Sequence, residues 1–180
     1  MYYITGYQSP IGALTLASDG AHLVGLWIEG QKYFASTISG MVEKQADLPV
    51  LTLTKTWLDC YFAGERPTLS AIPLAPAGSV FRQAVWKILC EIPYGTVTTY
   101  GAIAKLIAEM QGKAHFSGQA VGSAVGHNPI SIIIPCHRVI GANGSLTGYA
   151  GGLSTKIKLL ELEGVDLSRL FVPRKKSTIE

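Results

Sequence analysis

The sequence predicts an α/β N-terminal domain, formed by a small sheet and a helix, and a mainly α-helical C-terminal domain that contains a helix-turn-helix. A stretch rich in proline and glycine, residues 65–79, separates a β-hairpin pattern from three helical patterns. The chain has 180 residues, 48% of them hydrophobic and 15% charged, which is enough for one domain or two small ones with a packed core. We therefore divide the chain into domains at residues 1–78 and 79–166, followed by a basic tail at residues 167–180.

The N-terminal half contains the signals of a hairpin and a helix. The apolar segments GALTLAS and HLVGLWI flank the turn residues Ser18-Asp19-Gly20, which is typical of a β-hairpin. The later segment VLTLTKTWLDCYFAG has apolar side chains near helical spacing, and Gly64 is a suitable helix stop. No motif in this half carries chemistry, so its predicted role is support.

Three helices are predicted in succession after the break. Ser79 caps VFRQAVWKILCEI, and Thr98 or Thr99 caps TTYGAIAKLIAEM. The third helix, GQAVGSAVG, consists almost entirely of small residues, and two helices joined by a turn suggest a helix-turn-helix. Glycine costs about 1 kcal/mol per helical position relative to alanine, so a compensating interaction is expected. Close approach to a partner and tight packing against a neighbouring helix are equally good explanations.

The distribution of charge bears on the partner. The net charge is +3, but residues 1–78 carry −2 and the remainder +5. This asymmetry indicates a polyanion bound by the C-terminal part, with an unevenly charged solvated surface as the alternative. The three cysteines are an odd number at wide and irregular spacing, which fits neither a disulfide framework nor a paired-cysteine zinc site. Without a signal peptide or an apolar span in the sequence, a cytoplasmic protein with reduced thiols and no membrane association is expected.

Cys136 is the candidate nucleophile. The segment HNPISIIIPCHRVIG is interpreted as an apolar strand that ends at Cys136, which His137 and Arg138 follow directly. A thiol is a nucleophile only as thiolate, and neighbouring imidazole and cationic groups lower its pKa. Most cysteines in apolar segments are nevertheless inert, as is expected of Cys60 and Cys90, which have no neighbouring histidine.

Two further features strengthen the interpretation of Cys136 as reactive. The Gly-rich segment IGANGSLTGYAGG follows it and supplies exposed backbone amides and room for a ligand. The final helix, STKIKLLELEGV, carries Glu161 and Glu163 in its last turn, where the helix dipole disfavours a carboxylate. Glu163 is therefore predicted to orient His137, unless it is simply solvated.

These motifs together resemble a known family. The run Pro135-Cys136-His137-Arg138-Val139, after Asn128-Pro129 and before GYAGG, is similar to the active-site sequence of the O6-alkylguanine-DNA alkyltransferases. The resemblance extends over residues 81–164 through IPYG, TYG, AVG and LLELEG, and SPIG in the first half also matches. It implies DNA repair by direct, irreversible, single-turnover transfer of an alkyl group to Cys136, from O6 of guanine or also O4 of thymine.

The resemblance also implies residue roles. Cys136 is the acceptor, His137 is its base through a water, and Glu163 holds His137. Asn128 fixes the active-site turn, and Tyr100 donates a hydrogen bond or a proton to the guanine ring. The implied substrate-binding residues are Val139, Tyr149, Ala150 and Ser131. The implied DNA-binding residues are Gly118, Gln119, Ala120, Gly122, Tyr100, Arg138 and Lys113.

The expected partner is double-stranded DNA that contains O6-alkylguanine, with the base flipped out and the glycine-rich helix in the minor groove. Gln119 stands where family members usually have an arginine that wedges into the base stack, so a weaker wedge is expected. Ser131 replaces a pocket-narrowing proline, and Ala150 replaces a small hydroxyl residue. We expect a monomer without metal or cofactor. The alternatives are a lesion sensor that transfers nothing and, with less support, a cysteine hydrolase using Cys136, His137 and Glu163.

Overall fold

The structure, a computed structural model, describes residues 1–173 of the chain. Of the predicted basic tail, Arg174, Lys175 and Lys176 lie outside the described residues. Within residues 1–173, no helix has the length and apolar character needed to cross a membrane.

The first half forms a four-stranded mixed sheet. Its strands are β1 (Tyr2–Ser9), β2 (Gly12–Ser18), β3 (Leu23–Ile28) and β4 (Val42–Lys44), in the order β3-β2-β1-β4. Strands β1, β2 and β3 pair antiparallel, and β4 runs parallel to β1. The predicted hairpin of β2 and β3 is confirmed. Its turn is held by the Asp19 carboxylate, which accepts the amide protons of Ala21 and His22 at 2.9 and 2.7 Å.

Helix α1 (Pro49–Phe62) packs on this sheet and is the predicted N-terminal helix. Proline at its first position has no amide proton that the helix would leave unpaired. Gly64, at a φ of +83°, follows its end in a backbone conformation that favours glycine. The buried face of α1 includes Leu51, Leu58 and Tyr61, so the helix and the sheet share one core.

The proline-rich segment is bound to the sheet. The Leu23 amide donates to the Pro73 carbonyl at 2.8 Å, and the Ala75 amide donates to the Leu23 carbonyl at 2.9 Å. This pairing covers the outer edge of β3, where proline is tolerated because its carbonyl can still accept a hydrogen bond. One hydrophobic core continues across both halves, from Leu26 in the sheet to Leu89 and Leu159 in the helices. The division into domains stays a prediction.

Four α-helices lie within residues 79–173: α2 (Val80–Cys90), α3 (Tyr100–Met110), α4 (Gly118–Gly126) and α5 (Leu153–Leu162). The side chains of Ser79, Thr99 and Ser117 cap α2, α3 and α4 by accepting amide protons at 3.1 to 3.3 Å. Helix α4 packs against both α2 and α3. The Trp86 indole on α2 donates to the Ala124 carbonyl on α4 at 2.9 Å, which fixes the position of the short helix.

The prediction of an apolar strand before Cys136 is wrong. Ile130 forms only an isolated bridge with Leu26, Ile132 has a φ of +71°, and residues 131–133 form a turn. The side chain of Asn128 bonds backbone groups that a neighbouring strand would bond in a sheet. Its Oδ1 accepts the Ile130 amide proton at 3.0 Å, and its Nδ2 donates to the Ile134 carbonyl at 2.8 Å. A run buried on all sides lacks the alternation that would separate a strand from a compact turn.

The chain resumes regular structure directly after the turn. Cys136–Arg138 form a 3-10 turn, and β6 (Val139–Ile140) pairs parallel with β5 (Thr98–Thr99) at the start of α3. Cys136 therefore follows the turn that Asn128 holds and precedes β6, which pairs with β5 at the start of α3.

Candidate active site

Cys136 lies at the floor of a cavity of about 380 Å³. The thiol residue is only 4% exposed. Burial raises its pKa, while a hydrogen bond from Asn128 and the nearby charge of Lys156 act in the opposite direction. The cysteine therefore rests as a thiol and needs a base to become a nucleophile. The cavity is lined by Lys32, Tyr33, Tyr100, Gln119, Gly122, Ser123, Val125, Gly126, His127, Cys136, Gly148, Tyr149 and Ala150.

His137 is fully buried and bound to Glu163. Its Nε2 lies 2.6 Å from Glu163 Oε1. Because an ionised carboxylate only accepts hydrogen bonds, Nε2 carries the proton and Nδ1 is the basic nitrogen. Within residues 1–173, this Nδ1 is buried without a hydrogen-bond partner. Burial lowers the pKa of His137, and the contact with Glu163 opposes that shift, so the imidazole is neutral and able to take a proton.

Glu163 is the centre of a buried polar network, which excludes the solvated alternative. Arg138 donates to both carboxylate oxygens at 2.8 and 3.0 Å, the Tyr61 hydroxyl donates at 2.8 Å, and the Gly95 amide donates at 3.2 Å. Burial alone raises the pKa of Glu163, but the hydrogen bonds from His137 and Arg138 outweigh it and lower the pKa to about 2. The carboxylate is therefore ionised throughout the neutral range.

Arg138 is largely buried and bonded within the protein. Its side chain is 11% exposed, and it also donates to the Ile92 carbonyl at 2.6 Å. The guanidinium lies 5.7 Å from the centre of the Tyr94 ring. Its donors are directed into the protein, so the observed geometry supports a role in holding Glu163 and does not favour the predicted DNA contact.

Tyr100, Tyr149 and Ala150 line the cavity together with Cys136. Burial raises the pKa of Tyr100 to about 12, and its hydroxyl donates to the Thr147 carbonyl at 3.2 Å. Burial also raises the pKa of Tyr149, whose hydroxyl has no partner within the described part of the chain. Both phenols are therefore protonated donors at neutral pH.

The other two predicted substrate-binding residues lie behind the cavity. Val139 is fully buried, and its carbonyl accepts a hydrogen bond from Lys156. Ser131 is also buried, and its hydroxyl donates to Gln31 at 3.1 Å. Neither residue is part of the lining, so the structure does not bring them to the cavity with Tyr149 and Ala150.

Among the predicted DNA-binding residues, Gln119 and Gly122 line the cavity, and Gly118 and Ala120 lie on the same helix, α4. A Cβ atom added at Gly118 would have no neighbour within 4 Å, and one at Gly122 would lie 3.8 Å from Tyr100. Internal packing therefore does not require these glycines, which favours close approach to a partner over the alternative of helix packing. Lys113 is exposed, and its ammonium lies 5.5 Å from the centre of the Phe116 ring.

Sequence reasoning missed Lys156, which is completely buried. Its ammonium donates to the carbonyls of Val139, Thr147 and Gly148 at 2.5, 3.2 and 3.2 Å. Burial lowers its pKa to about 8, and the nearby Cys136 opposes that shift. A lysine is rarely buried unless its charge is paired. The available signal in the sequence was that Lys156 lies at helical spacing from Leu159 and Leu160, which places it on the apolar face of the helix.

The chain is similar to proteins of known family. Residues 1–76 match the family described as 6-O-methylguanine DNA methyltransferase, ribonuclease-like domain. Residues 80–165 match 6-O-methylguanine DNA methyltransferase, DNA binding domain. The Haemophilus influenzae methylated-DNA–protein-cysteine methyltransferase is 43% identical over 163 residues, which cover 91% of this chain and 87% of the relative. The Methanosarcina acetivorans protein of the same name is 41% identical over 178 residues, 91% of this chain and 99% of the relative.

Solved structures agree with these sequence matches. The crystal structure of Mycobacterium tuberculosis OGT in complex with DNA has a TM-score of 0.76 and 41% identity, and the match covers 94% of each chain. The M. tuberculosis O6-methylguanine methyltransferase has a TM-score of 0.76 and 42% identity, with coverage of 96% of this chain and 97% of the other. The small mixed sheet and the five α-helices of the described residues thus form the fold of this family.

Proposed function

Because this chain belongs to the 6-O-methylguanine DNA methyltransferase family, and so acts on DNA in repair by alkyl transfer to a cysteine, we propose that Cys136 is the acceptor. We propose O6-alkylguanine in duplex DNA as its substrate. The observation that carries this proposal is the arrangement of Cys136 at the floor of the cavity, next in sequence to a neutral His137 that Glu163 holds through Nε2.

The activation of Cys136 follows from the protonation states. His137 Nδ1 takes the thiol proton through a water, and the resulting imidazolium is stabilised by the ionised Glu163. Since the pKa of Glu163 is about 2, the proton stays on the imidazole and does not move to the carboxylate. Asn128 supports the same step by its hydrogen bond to Cys136, which opposes the effect of burial on the thiol pKa.

Transfer is a displacement at the alkyl carbon. The bond from sulfur to carbon forms as the bond from carbon to O6 breaks, and the electron pair leaves with the guanine, which is then protonated. The Tyr100 hydroxyl, whose pKa of about 12 keeps it protonated, donates a hydrogen bond to the ring as negative charge develops. A thioether is not displaced under these conditions, so each protein molecule reacts once.

We further propose that α3 and α4 act as a helix-turn-helix and that α4 enters the minor groove of the DNA. The small residues of α4 permit close approach, and the buried position of Cys136 requires that the base be flipped out of the duplex. Lys113 supplies a phosphate contact near the start of this helix. In this proposal residues 79–166 carry the reaction, residues 1–78 support it, and one copy of the chain acts in the cytoplasm.

The experiment that tests this function measures the loss of the alkyl group from DNA. A duplex with one O6-methylguanine is mixed with the protein in excess and in deficit, and the remaining O6-methylguanine is quantified after digestion of the DNA. We expect one methyl group lost per protein molecule, followed by no further reaction. Tight binding without loss of the methyl group would support the lesion sensor instead, and turnover of an acyl substrate would support the hydrolase.

Gln119→Arg is expected to increase the rate of repair of duplex DNA several-fold. Gln119 lines the cavity and is exposed on α4, and the family resemblance implies a base-stack wedge at this position. A longer, cationic side chain fills the vacated base position better and adds attraction to the phosphates, an effect of about 1 kcal/mol. Gln83→Arg on α2 adds the same charge away from the cavity and serves as the control. Equal rates for wild type and Gln119→Arg would refute the weak wedge.

A further inference from the structure

A loop from the first half of the chain forms part of the wall around Cys136. Lys32 and Tyr33, which follow β3, line the same cavity as the thiol. Tyr33 is 48% exposed, whereas Cys136 is 4% exposed, so Tyr33 lies at the mouth of the cavity and Cys136 at its floor. The half that the sequence assigns to support therefore contributes directly to the reactive site.

This loop is anchored to the two segments that frame Cys136. The buried Gln31 accepts hydrogen bonds through Oε1 from the Ile28 amide at 2.7 Å and from the Ser131 hydroxyl at 3.1 Å. The Lys32 amide donates to the Ala150 carbonyl at 3.1 Å. The loop thus holds a fixed position relative to the active-site turn and to the Gly-rich segment.

The Tyr33 ring is also fixed in orientation. It stacks on the His127 imidazole with ring centres 3.9 Å apart and an angle of 23° between the planes. His127 is itself held at the end of α4, because its Nδ1 lies 2.7 Å from the Ser123 carbonyl. The backbone of Tyr33 has a φ of +58°, a conformation that is rare for a bulky residue and that concentrates at functional sites. A preorganised aromatic surface stands at the mouth of the cavity.

We propose that Tyr33 determines which alkyl groups the protein accepts and that it favours groups with an aromatic ring, such as benzyl. This inference rests on the proposed function. In the proposed function, a flipped base enters between α4 and the segment of residues 148–150, which line the cavity together with Tyr33. The loop with Tyr33 is then the part of the wall that faces the substituent on the reacting carbon. A methyl group at the floor is too short to reach the mouth, whereas a flat ring extends to Tyr33 and packs on it.

The chemical step is the same for both groups. The bond from Cys136 sulfur to the CH3 or CH2 carbon forms, the bond from that carbon to O6 breaks, and the electron pair leaves with guanine. Tyr33 contributes only binding of the part of the group that does not react. Its effect therefore appears in the preference between two substrates and not in the chemistry of the thiol.

The test is a competition in one tube. Limiting protein is mixed with equal amounts of two duplexes of the same sequence, one with O6-methylguanine and one with O6-benzylguanine, and the masses of the protein give the ratio of benzyl to methyl adducts. The ratio does not depend on the fraction of folded protein. Tyr33→Ala is compared with Tyr33→Phe, which keeps the ring. The matched control is Phe34→Ala, which removes a neighbouring aromatic ring that packs on Trp27 and does not line the cavity.

We expect Tyr33→Ala to lower the benzyl-to-methyl ratio about fivefold, while Tyr33→Phe and Phe34→Ala stay within about twofold of wild type. An unchanged or increased ratio in Tyr33→Ala would overturn the proposal, as would an equal decrease in Phe34→Ala. If the wild-type protein takes up methyl groups but the benzyl-to-methyl ratio is the same in Tyr33→Ala, only this proposal is refuted. A wild-type protein that takes up neither group refutes the proposed function as well.

Discussion

Cys136→Ser is expected to abolish alkyl transfer, with a decrease in rate of at least about a thousandfold, while binding of duplex DNA is retained. A serine hydroxyl is far less acidic than a thiol, and the buried position of residue 136 disfavours an anion further. The exposed surface of α4 does not change. Transfer is measured as loss of O6-methylguanine from the duplex, and binding by the change in anisotropy of a labelled duplex.

The other two cysteines provide matched controls for this substitution. Cys60 and Cys90 are partly buried and reduced, and neither lines the cavity. Burial raises the pKa of Cys90 to about 11, so its thiol is inert near neutral pH. Cys60→Ser and Cys90→Ser are expected to react at wild-type rates. Transfer by Cys136→Ser at a rate close to that of wild type, or loss of transfer in either control, would show that the acceptor lies elsewhere.

Glu163→Gln is expected to lower the free energy of unfolding by about 3 kcal/mol and the rate of transfer by at least about a hundredfold. The neutral amide of glutamine cannot stabilise the imidazolium form of His137 as the carboxylate does. It also leaves the buried guanidinium of Arg138 without its anionic partner. Glu161→Gln is the control, because it makes the same change two residues earlier at an exposed position. Chemical denaturation and single-turnover kinetics measure the two effects.

The free energy of unfolding is also expected to depend on pH, and the same two variants test the sign of this dependence. The pKa of Glu163 is lowered from 4.5 to about 2 in the folded protein. Its ionisation therefore stabilises the folded state fully above pH 4.5, and this contribution is lost as the pH falls toward 2. Glu161→Gln should show this acid-induced loss as wild type does, whereas Glu163→Gln should show a flatter profile between pH 4.5 and 2. Identical profiles for both variants would contradict the network.

Local sequence signals predicted the elements whose determinants are near in sequence. The turn at Asp19 and the caps at Ser79 and Thr99 depend on side chains that bond amides within three residues, so the pattern was sufficient. The segment before Cys136 was not predictable in this way. Its conformation depends on Asn128, which bonds the backbone of a run that is apolar and buried throughout.

The residues of the candidate site also fall into those that the sequence predicted and those that it did not. The contact between His137 and Glu163 was predicted from the unusual position of a carboxylate at a helix end, and the resemblance to a family gave the remaining roles. Tyr61 was missed because it reaches Glu163 across 102 positions of sequence. Tyr33 was missed because nothing in its neighbourhood carries a motif, and only the folded chain brings it to the cavity.

Alkyl transfer to Cys136 is tested by locating the methyl group after the reaction. Wild-type protein is incubated with an O6-methylguanine duplex, its intact mass is measured, and its peptides are sequenced by mass spectrometry. We expect one added methyl group per molecule, found on the sulfur of Cys136. A methyl group on Cys60, Cys90 or any other residue, or a protein of unchanged mass that has bound the duplex, would contradict it.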